Sequence, residues 1–143
     1  MKILYIGVLW MVFSLSILQA KEIKMSSPDE KYQFTLSDEG GNLHYSLNWN
    51  AKETIKPSLL GIKANTIWRD HLSLGDMTTA EQDTVWHPVY GERSTIKDQY
   101  KAWSVVINRQ NSRDKLVLDI RAYNEGIAFR YRFPGGQYLK ITD

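Results

Sequence analysis

The chain has 143 residues, with 18 Lys and Arg against 16 Asp and Glu, a formal net charge of +2 and no Cys. That is one domain's worth of chain at about 150 residues per domain, well short of the about 250 residues of a complete (β/α)8 barrel. The near-balanced charge gives no basic footprint for nucleic acid, and the absence of Cys excludes disulfides, a thiol nucleophile and a lipidated cysteine.

Lys2 opens the chain with a positive charge. Ile3 to Leu18 is then uncharged, and apolar apart from Gly7, Ser14 and Ser16; Gln19-Ala20 leads into a charged run from Lys21. This is the layout of a secretory signal, and its apolar core is shorter than the ~20 residues that span a bilayer. Residues 1–20 are therefore expected to be a signal peptide cut after Ala20, with no membrane attachment afterwards. The mature segment, 21–143, is expected in the periplasm or outside the cell. No Asn-x-Ser/Thr sequon occurs in it.

From Tyr32 onward, apolar and polar residues alternate with a period of two, the pattern of half-buried strands. Tyr32, Phe34 and Leu36 form one apolar set; Leu43, Tyr45, Leu47 and Trp49 form the next. For the two sets to share a face, the connection must hold an even number of residues, and Asp38 to Gly41 fits as a four-residue loop. His44 falls on the polar face and is expected to be exposed. Leu59 to Ile62 and Leu72 to Leu74 read as short strands, and Met77 to Asp83 as a loop, since no apolar stripe supports a helix there.

The C-terminal third alternates most clearly. Trp103, Val105 and Ile107 precede a turn at Gln110-Asn111-Ser112; Leu116, Leu118, Ile120 and Ala122 follow; then Ile127, Phe129, Tyr131 and Phe133. A turn at Glu125-Gly126 would pair Ala122 with Phe129, Ile120 with Tyr131 and Leu118 with Phe133. On the other face Asp119 would meet Arg132, and Arg121 would meet Arg130 unfavourably. Pro134 ends the strand, and Gln137 to Ile141 reads as another strand beginning. The expected fold is all-β, an antiparallel β-sandwich without helices.

Chemistry is sparse. His44, His71 and His87 lack the short spacing of a transition-metal site. Gly40-Gly41 reads as a turn rather than a phosphate loop. There is no Gly-x-Ser-x-Gly elbow and no Asp-rich calcium loop. Glu92 and Asp98 are the one carboxylate pair in a promising context, flanking Trp86-His87-Pro88-Val89-Tyr90-Gly91-Glu92-Arg93-Ser94. Aromatic faces stack on sugar rings, and planar charged groups hydrogen-bond to hydroxyls. Trp86, Tyr90, Glu92, Arg93 and Asp98 are thus substrate-rim candidates. The other reading is a structural loop with Glu92 and Arg93 in ion pairs and Trp86 packed on the sandwich. Arg130 and Arg132 read as a solvated strand face.

Two stretches carry a family resemblance. Pro88 to Ser94, continued by Ile96, Asp98 and Tyr100, resembles the middle of the N-terminal domain of glycoside hydrolase family 97. Arg121-Ala122-Tyr123-Asn124-Glu125-Gly126-Ile127-Ala128-Phe129-Arg130-Tyr131-Arg132-Phe133-Pro134 resembles the hairpin that follows it. Ser27-Pro28-Asp29-Glu30 and the Leu43–Trp49 strand also fit. The resemblance implies a secreted or periplasmic α-glucosidase or α-galactosidase built from an N-terminal β-supersandwich, a catalytic (β/α)8 barrel and a small C-terminal β domain, with calcium assisting catalysis. On this basis residues 21–143 are expected to be the first portion of such a supersandwich. The chain is expected to be non-catalytic alone and to hold no cofactor itself, calcium belonging to the complete enzyme. The implied partners are an α-linked oligosaccharide and a barrel in cis or in trans. No catalytic or metal residue carries over. A free-standing carbohydrate-binding module, or a scaffold for a separate barrel, is the alternative.

Overall fold

The computed structural model describes residues 20–63, 67–92 and 94–135. The signal segment (residues 1–19), the strand expected at Gln137–Ile141 and the side chain of Arg93 lie outside them. Ten strands and no helix are present among the described residues.

The first sheet is a meander of β1 (Glu22–Ser26), β2 (Tyr32–Glu39), β3 (Asn42–Trp49) and β4 (Lys52–Leu60), all antiparallel and in sequence order. A two-stranded ribbon follows, β5 (Ile62–Lys63) with β6 (Ile67–Trp68). The second sheet is another antiparallel meander: β7 (Leu72–Trp86), β8 (Ile96–Arg109), β9 (Lys115–Tyr123) and β10 (Gly126–Arg132). Alternation decides which face each strand buries. Met25, Phe34, Leu36 and Leu43 from the first sheet meet Val105, Ile107, Leu118 and Ile120 from the second in one core. Each such side chain contributes about 1.5–3 kcal/mol on burial. Phe129 closes one side of the core, with its ring centroid 6.3 Å from Phe34, 6.1 Å from Tyr45 and 6.2 Å from Tyr131. The Tyr131 hydroxyl donates to the Gly61 carbonyl at 3.3 Å, and burial pushes its pKa up to about 12.

The parity expected of the β2–β3 hairpin holds, with Phe34 opposite Leu47 and Leu36 opposite Tyr45. The loop is shorter than expected. Asp38 and Glu39 join the ladder, leaving only Gly40-Gly41, whose φ values of +61° and +79° suit the two-residue turn that matches strand twist. The β9–β10 turn is also displaced. It falls at Asn124-Glu125, so Ala122 pairs with Ile127, Ile120 with Phe129 and Leu118 with Tyr131. A two-residue slip keeps every side chain on its expected face. Arg121 now lies opposite Ala128 rather than Arg130, which removes the expected repulsion.

Three further expectations are corrected. The strand expected at Leu59 to Ile62 starts earlier and stops at Leu60, as part of β4, and Pro57 lies inside that strand. It sits at a bulge on an edge strand, between Ile55 and Ser58, where the ladder needs no N–H from it. Met77 to Asp83 is strand, not loop: β7 runs unbroken for 15 residues. Its distal half shows no apolar alternation: among the described residues neither face is covered, and pairing with β8 alone carries it. His44 faces outward as expected, but it is partly buried, and among the described residues its Nδ1 is sealed from solvent without a hydrogen-bond partner.

β7 carries a bulge where Gly75 and Asp76 oppose the single residue Val106. A Cβ on Gly75 would lie 2.5 Å from Asn108 Nδ2 and 3.0 Å from the Val106 carbonyl oxygen. Gly75→Ala should therefore destabilise the fold by about 1–2 kcal/mol through overpacking, read as a lower urea midpoint at unchanged slope.

The turn between β1 and β2 is a polar knot. Ser27 is fully buried; its Oγ donates to Asp29 Oδ1 at 2.6 Å and accepts from the Tyr32 N–H at 3.1 Å. The Asp29 N–H donates to Asn124 Oδ1 at 3.0 Å, tying this turn to the β9–β10 turn in the opposite sheet. Two of the segments that carry the family resemblance thus meet in space, and they meet as structure. The Ser27 hydroxyl above all, with Lys31 behind it, holds the Asp29 carboxyl below its ordinary range.

Candidate functional site

β7 and β8 run on past β9. From Asp83–Gln99 to Trp86–Ile96 the pairs have no third strand beside them among the described residues, and the hairpin projects as an arm from the sheet they form. Alternation puts the even-numbered residues of both strands on the outer face, away from the core. Trp86 and Asp98 share that face, Asp98 lying opposite Thr84. Tyr90 and Glu92 occupy the connecting loop; Tyr90 is 91% exposed and Trp86 51%. The loop is braced by His87, whose Nδ1 lies 2.9 Å from the Ser94 carbonyl, to which it can only donate. Trp86 is therefore an exposed ring rather than one packed on the sandwich. No hydrogen bond or ion pair joins Glu92 to Asp98 among the described residues.

Nearer the sandwich, the same outer face holds a groove of roughly 600 Å³. Sequence reasoning missed it. Its floor is the polar side of β8 and β9, with Arg130 and Arg132 from β10 and Ala80 and Gln82 from β7 along its walls. Asp119 sits at the centre, its side chain 16% exposed. It accepts from Ser104 Oγ at 2.7 Å, from Arg130 Nε at 3.1 Å, and from Arg132 Nε and Nη2 at 3.0 and 3.1 Å. The two Arg132 bonds form a fork, the strongest arrangement for a guanidinium and a carboxylate. They are the main reason the Asp119 carboxyl is held well below the usual carboxylate range, with Ser104 and Arg130 adding to them against the opposing effect of burial. Arg130 and Arg132 are thus engaged with Asp119 rather than merely solvated.

Beside this cluster, the Arg121 guanidinium lies over the Tyr100 ring, 4.5 Å from its centroid, and its Nη1 donates to the Tyr123 hydroxyl at 3.4 Å. The Tyr100 and Tyr123 rings are 5.1 Å apart. The hydrogen bond to Tyr123, chiefly, raises the Arg121 pKa, with smaller help from Asp98. The signal for this face was present in the sequence as polar and aromatic residues at every second position of β8 and β9. It was unreadable there because the alternation shows which residues share a face but not what that face does.

A carboxyl whose folded pKa is depressed stabilises the fold above its unfolded pKa of ~3.9, and that contribution fades as pH falls through the folded value. Asp119 and Asp29 both act this way. Stability should therefore decline below about pH 5. Asp119→Asn should cost about 1–2 kcal/mol at pH 7 and much less at pH 3, read from urea midpoints at the two pH values.

Among the described residues no three His, Asp or Glu side chains come together to hold a metal ion. No chemistry of this face is routed through a metal ion. No described helix is long and apolar enough to cross a membrane.

Two antiparallel meanders packed on one core, with an arm and an aromatic–guanidinium groove on the outer face, define a β-sandwich domain. The sequence profile described as "Glycosyl-hydrolase 97 N-terminal" matches residues 25–143, and the chain belongs to that family. A curated relative, the retaining alpha-galactosidase of Bacteroides thetaiotaomicron, is 23% identical over 99% of this chain and 21% of its own length. A glycoside hydrolase family 97 enzyme from a Pseudoalteromonas species, solved with panose, superposes with a TM-score of 0.77 at 25% identity, over 84% of this chain and 19% of that one. A beta-arabinopyranosidase shares the fold, with a TM-score of 0.72 at 23% identity over 79% of this chain and 18% of that one. The chain spans about a fifth of the length of these relatives.

Proposed function

We propose that this chain is the N-terminal sandwich portion of a secreted α-glycosidase, an α-glucosidase or α-galactosidase, and that it is not catalytic by itself. The observation that carries this reading is the family match over residues 25–143, nearly the whole segment after the signal. The names of its relatives supply the substrate class: one is a retaining alpha-galactosidase, and others were solved with panose or acarbose. Catalysis is assigned to a (β/α)8 barrel in cis or in trans, calcium to the complete enzyme, and residues 1–20 to a signal that directs the protein to the periplasm or beyond. The test is to purify the protein at its native length from the periplasm of its source cells and assay aryl α-glucosides and α-galactosides. Activity accompanied by a barrel, in the same chain or a co-purifying one, is expected. A protein with neither barrel nor hydrolysis would overturn the reading.

The arm tip is placed at the substrate rim of that enzyme. Glu92→Ala and Arg93→Ala in the complete enzyme should each raise KM severalfold with little change in kcat, because a rim contact binds ground state and transition state alike. Unchanged kinetics would remove both residues from the rim. The exposed rings of Trp86 and Tyr90 favour one second reading, a free-standing carbohydrate-binding module. Its mark would be saturable binding of maltooligosaccharides or galactosides by a barrel-free protein, lost in Trp86→Ala or Tyr90→Ala.

A further inference from the structure

The groove on the outer face of the second sheet has an uneven supply of hydrogen-bonding groups. Its central acceptor, Asp119, already receives four donors from Ser104, Arg130 and Arg132. A hydroxyl-bearing ligand would find no lone pair there that is not in use. The donors are in the opposite state. Arg130 spends only its Nε on Asp119, so among the described residues its two terminal nitrogens have no partner. Arg121 spends one nitrogen on a long 3.4 Å contact with the Tyr123 hydroxyl and lies over the Tyr100 ring, and among the described residues the rest of its fork has no hydrogen-bond partner. Three guanidiniums line the groove with two carboxylates, the saturated Asp119 at its centre and Glu81 on the β7 wall, and Asp98 lies further along the same face. Unspent donors are therefore gathered at Arg121 and Arg130, beside a carboxylate that is already saturated, and a ligand seated between them must supply acceptors and negative charge.

We infer that this groove binds an acidic saccharide, a sugar bearing a carboxylate that the Arg121 and Arg130 forks receive while a ring face rests on Tyr123. The saccharide part of the inference rests on the glycoside-hydrolase reading above; the carboxylate part rests on the unspent nitrogens of Arg121 and Arg130. A volume of roughly 600 Å³ suits a ligand of one or two sugar rings, since small-molecule sites span about 300–1,000 Å³. Guanidiniums receive carboxylates in a fork, and an amphipathic ring suits the apolar side of a sugar. The groove is separate from the Trp86–Glu92 tip, so the two sites make different demands on a ligand.

The test compares two disaccharides of the same skeleton, α-1,4-digalacturonate and α-1,4-galactobiose, by calorimetric titration of the protein at its native length. Digalacturonate is expected to bind saturably and at least tenfold more tightly than galactobiose, with an affinity that falls as salt rises. Arg121→Gln and Arg130→Gln should each weaken it tenfold or more, and Arg121→Lys should recover only part of the loss, since charge without a fork is not equivalent. Melting midpoints of the variants identify a fold defect, and either arginine variant that keeps its midpoint is sufficient. Equal binding of the two disaccharides, or full affinity in a folded Arg121→Gln or Arg130→Gln protein, would overturn the inference. Acetate binding as tightly as digalacturonate would overturn its saccharide part. Failure here with α-glycosidase activity retained would sink the groove and leave the proposed function standing.

Discussion

Asp38→Ala should lower the unfolding free energy by about 3 kcal/mol, a fall of roughly 10 °C in melting midpoint for a domain of this size. Asp38 reads from sequence as part of a turn, but its carboxylate joins the two sheets. Its Oδ1 accepts the Lys21 N–H at 2.7 Å, and its Oδ2 accepts the Leu74 N–H at 2.8 Å. Leu74 is buried at the edge of the β7 bulge, where the regular ladder breaks off. The Lys21 ammonium completes the clip by donating to the Leu74 and Gly75 carbonyls at 3.3 and 2.9 Å. Hydrogen bonds to a charged group are worth about 1.5–3 kcal/mol each, and an orphaned part-buried N–H adds a desolvation cost. Asp38→Asn should keep one acceptor and recover part of the loss. Equilibrium urea unfolding of the three proteins at pH 7 measures this, and an Asp38→Ala protein as stable as the parent would mean that water replaces the carboxylate without cost.

The residues that sequence reasoning read well are those whose burial is uniform along a strand. Leu116, Leu118, Ile120 and Ala122 lie in the interior strand β9, are all buried, and were legible by period alone. Parity also fixed the faces in both hairpins, because side chains alternate strictly whatever the turn length. Turn positions were not legible. Gly40-Gly41 forms a tighter turn than the polar cluster Asp38–Asn42 around it suggests, and Asn124 is held in its turn by Asp29, 95 residues away along the chain. The distal half of β7 was missed for a different reason. Its side chains bury little, so a solvated ladder strand carries the same pattern as a polar loop.

The candidate site divided in the same way. The notable residues of the Trp86–Arg93 stretch stand out in sequence because they are chemically unusual neighbours. The groove does not, because it is assembled across strands: Ser104, Asp119 and Arg130 come from β8, β9 and β10. The opposition of Asp119 and an arginine was foreseeable once the hairpin was. The saturation of Asp119 was not, since it depends on Ser104 from a third strand.

The arm yields the other large expected effect. Residues 21–143 produced alone should self-associate at micromolar concentration, with the arm tip as the sticky element. Val85, Trp86, Val89 and Tyr90 are 55, 51, 86 and 91% exposed within six residues of one another. Two neighbouring aromatic rings that find cover contribute about 1.5–3 kcal/mol each, enough for a 100-fold or greater change in dissociation constant. The β7 edge is a weaker cause of association. Asp76, Glu81 and Asp83 lie along it, and charge on an edge strand opposes strand-to-strand pairing. A Trp86→Ser, Tyr90→Ser double variant should therefore become monomeric, while Asp83→Ser should not. Sedimentation equilibrium separates the cases. A parent segment that runs as a sharp monomer and unfolds cooperatively would mean that the tip tolerates water as it stands, and the case for these rings as a binding surface would weaken with it.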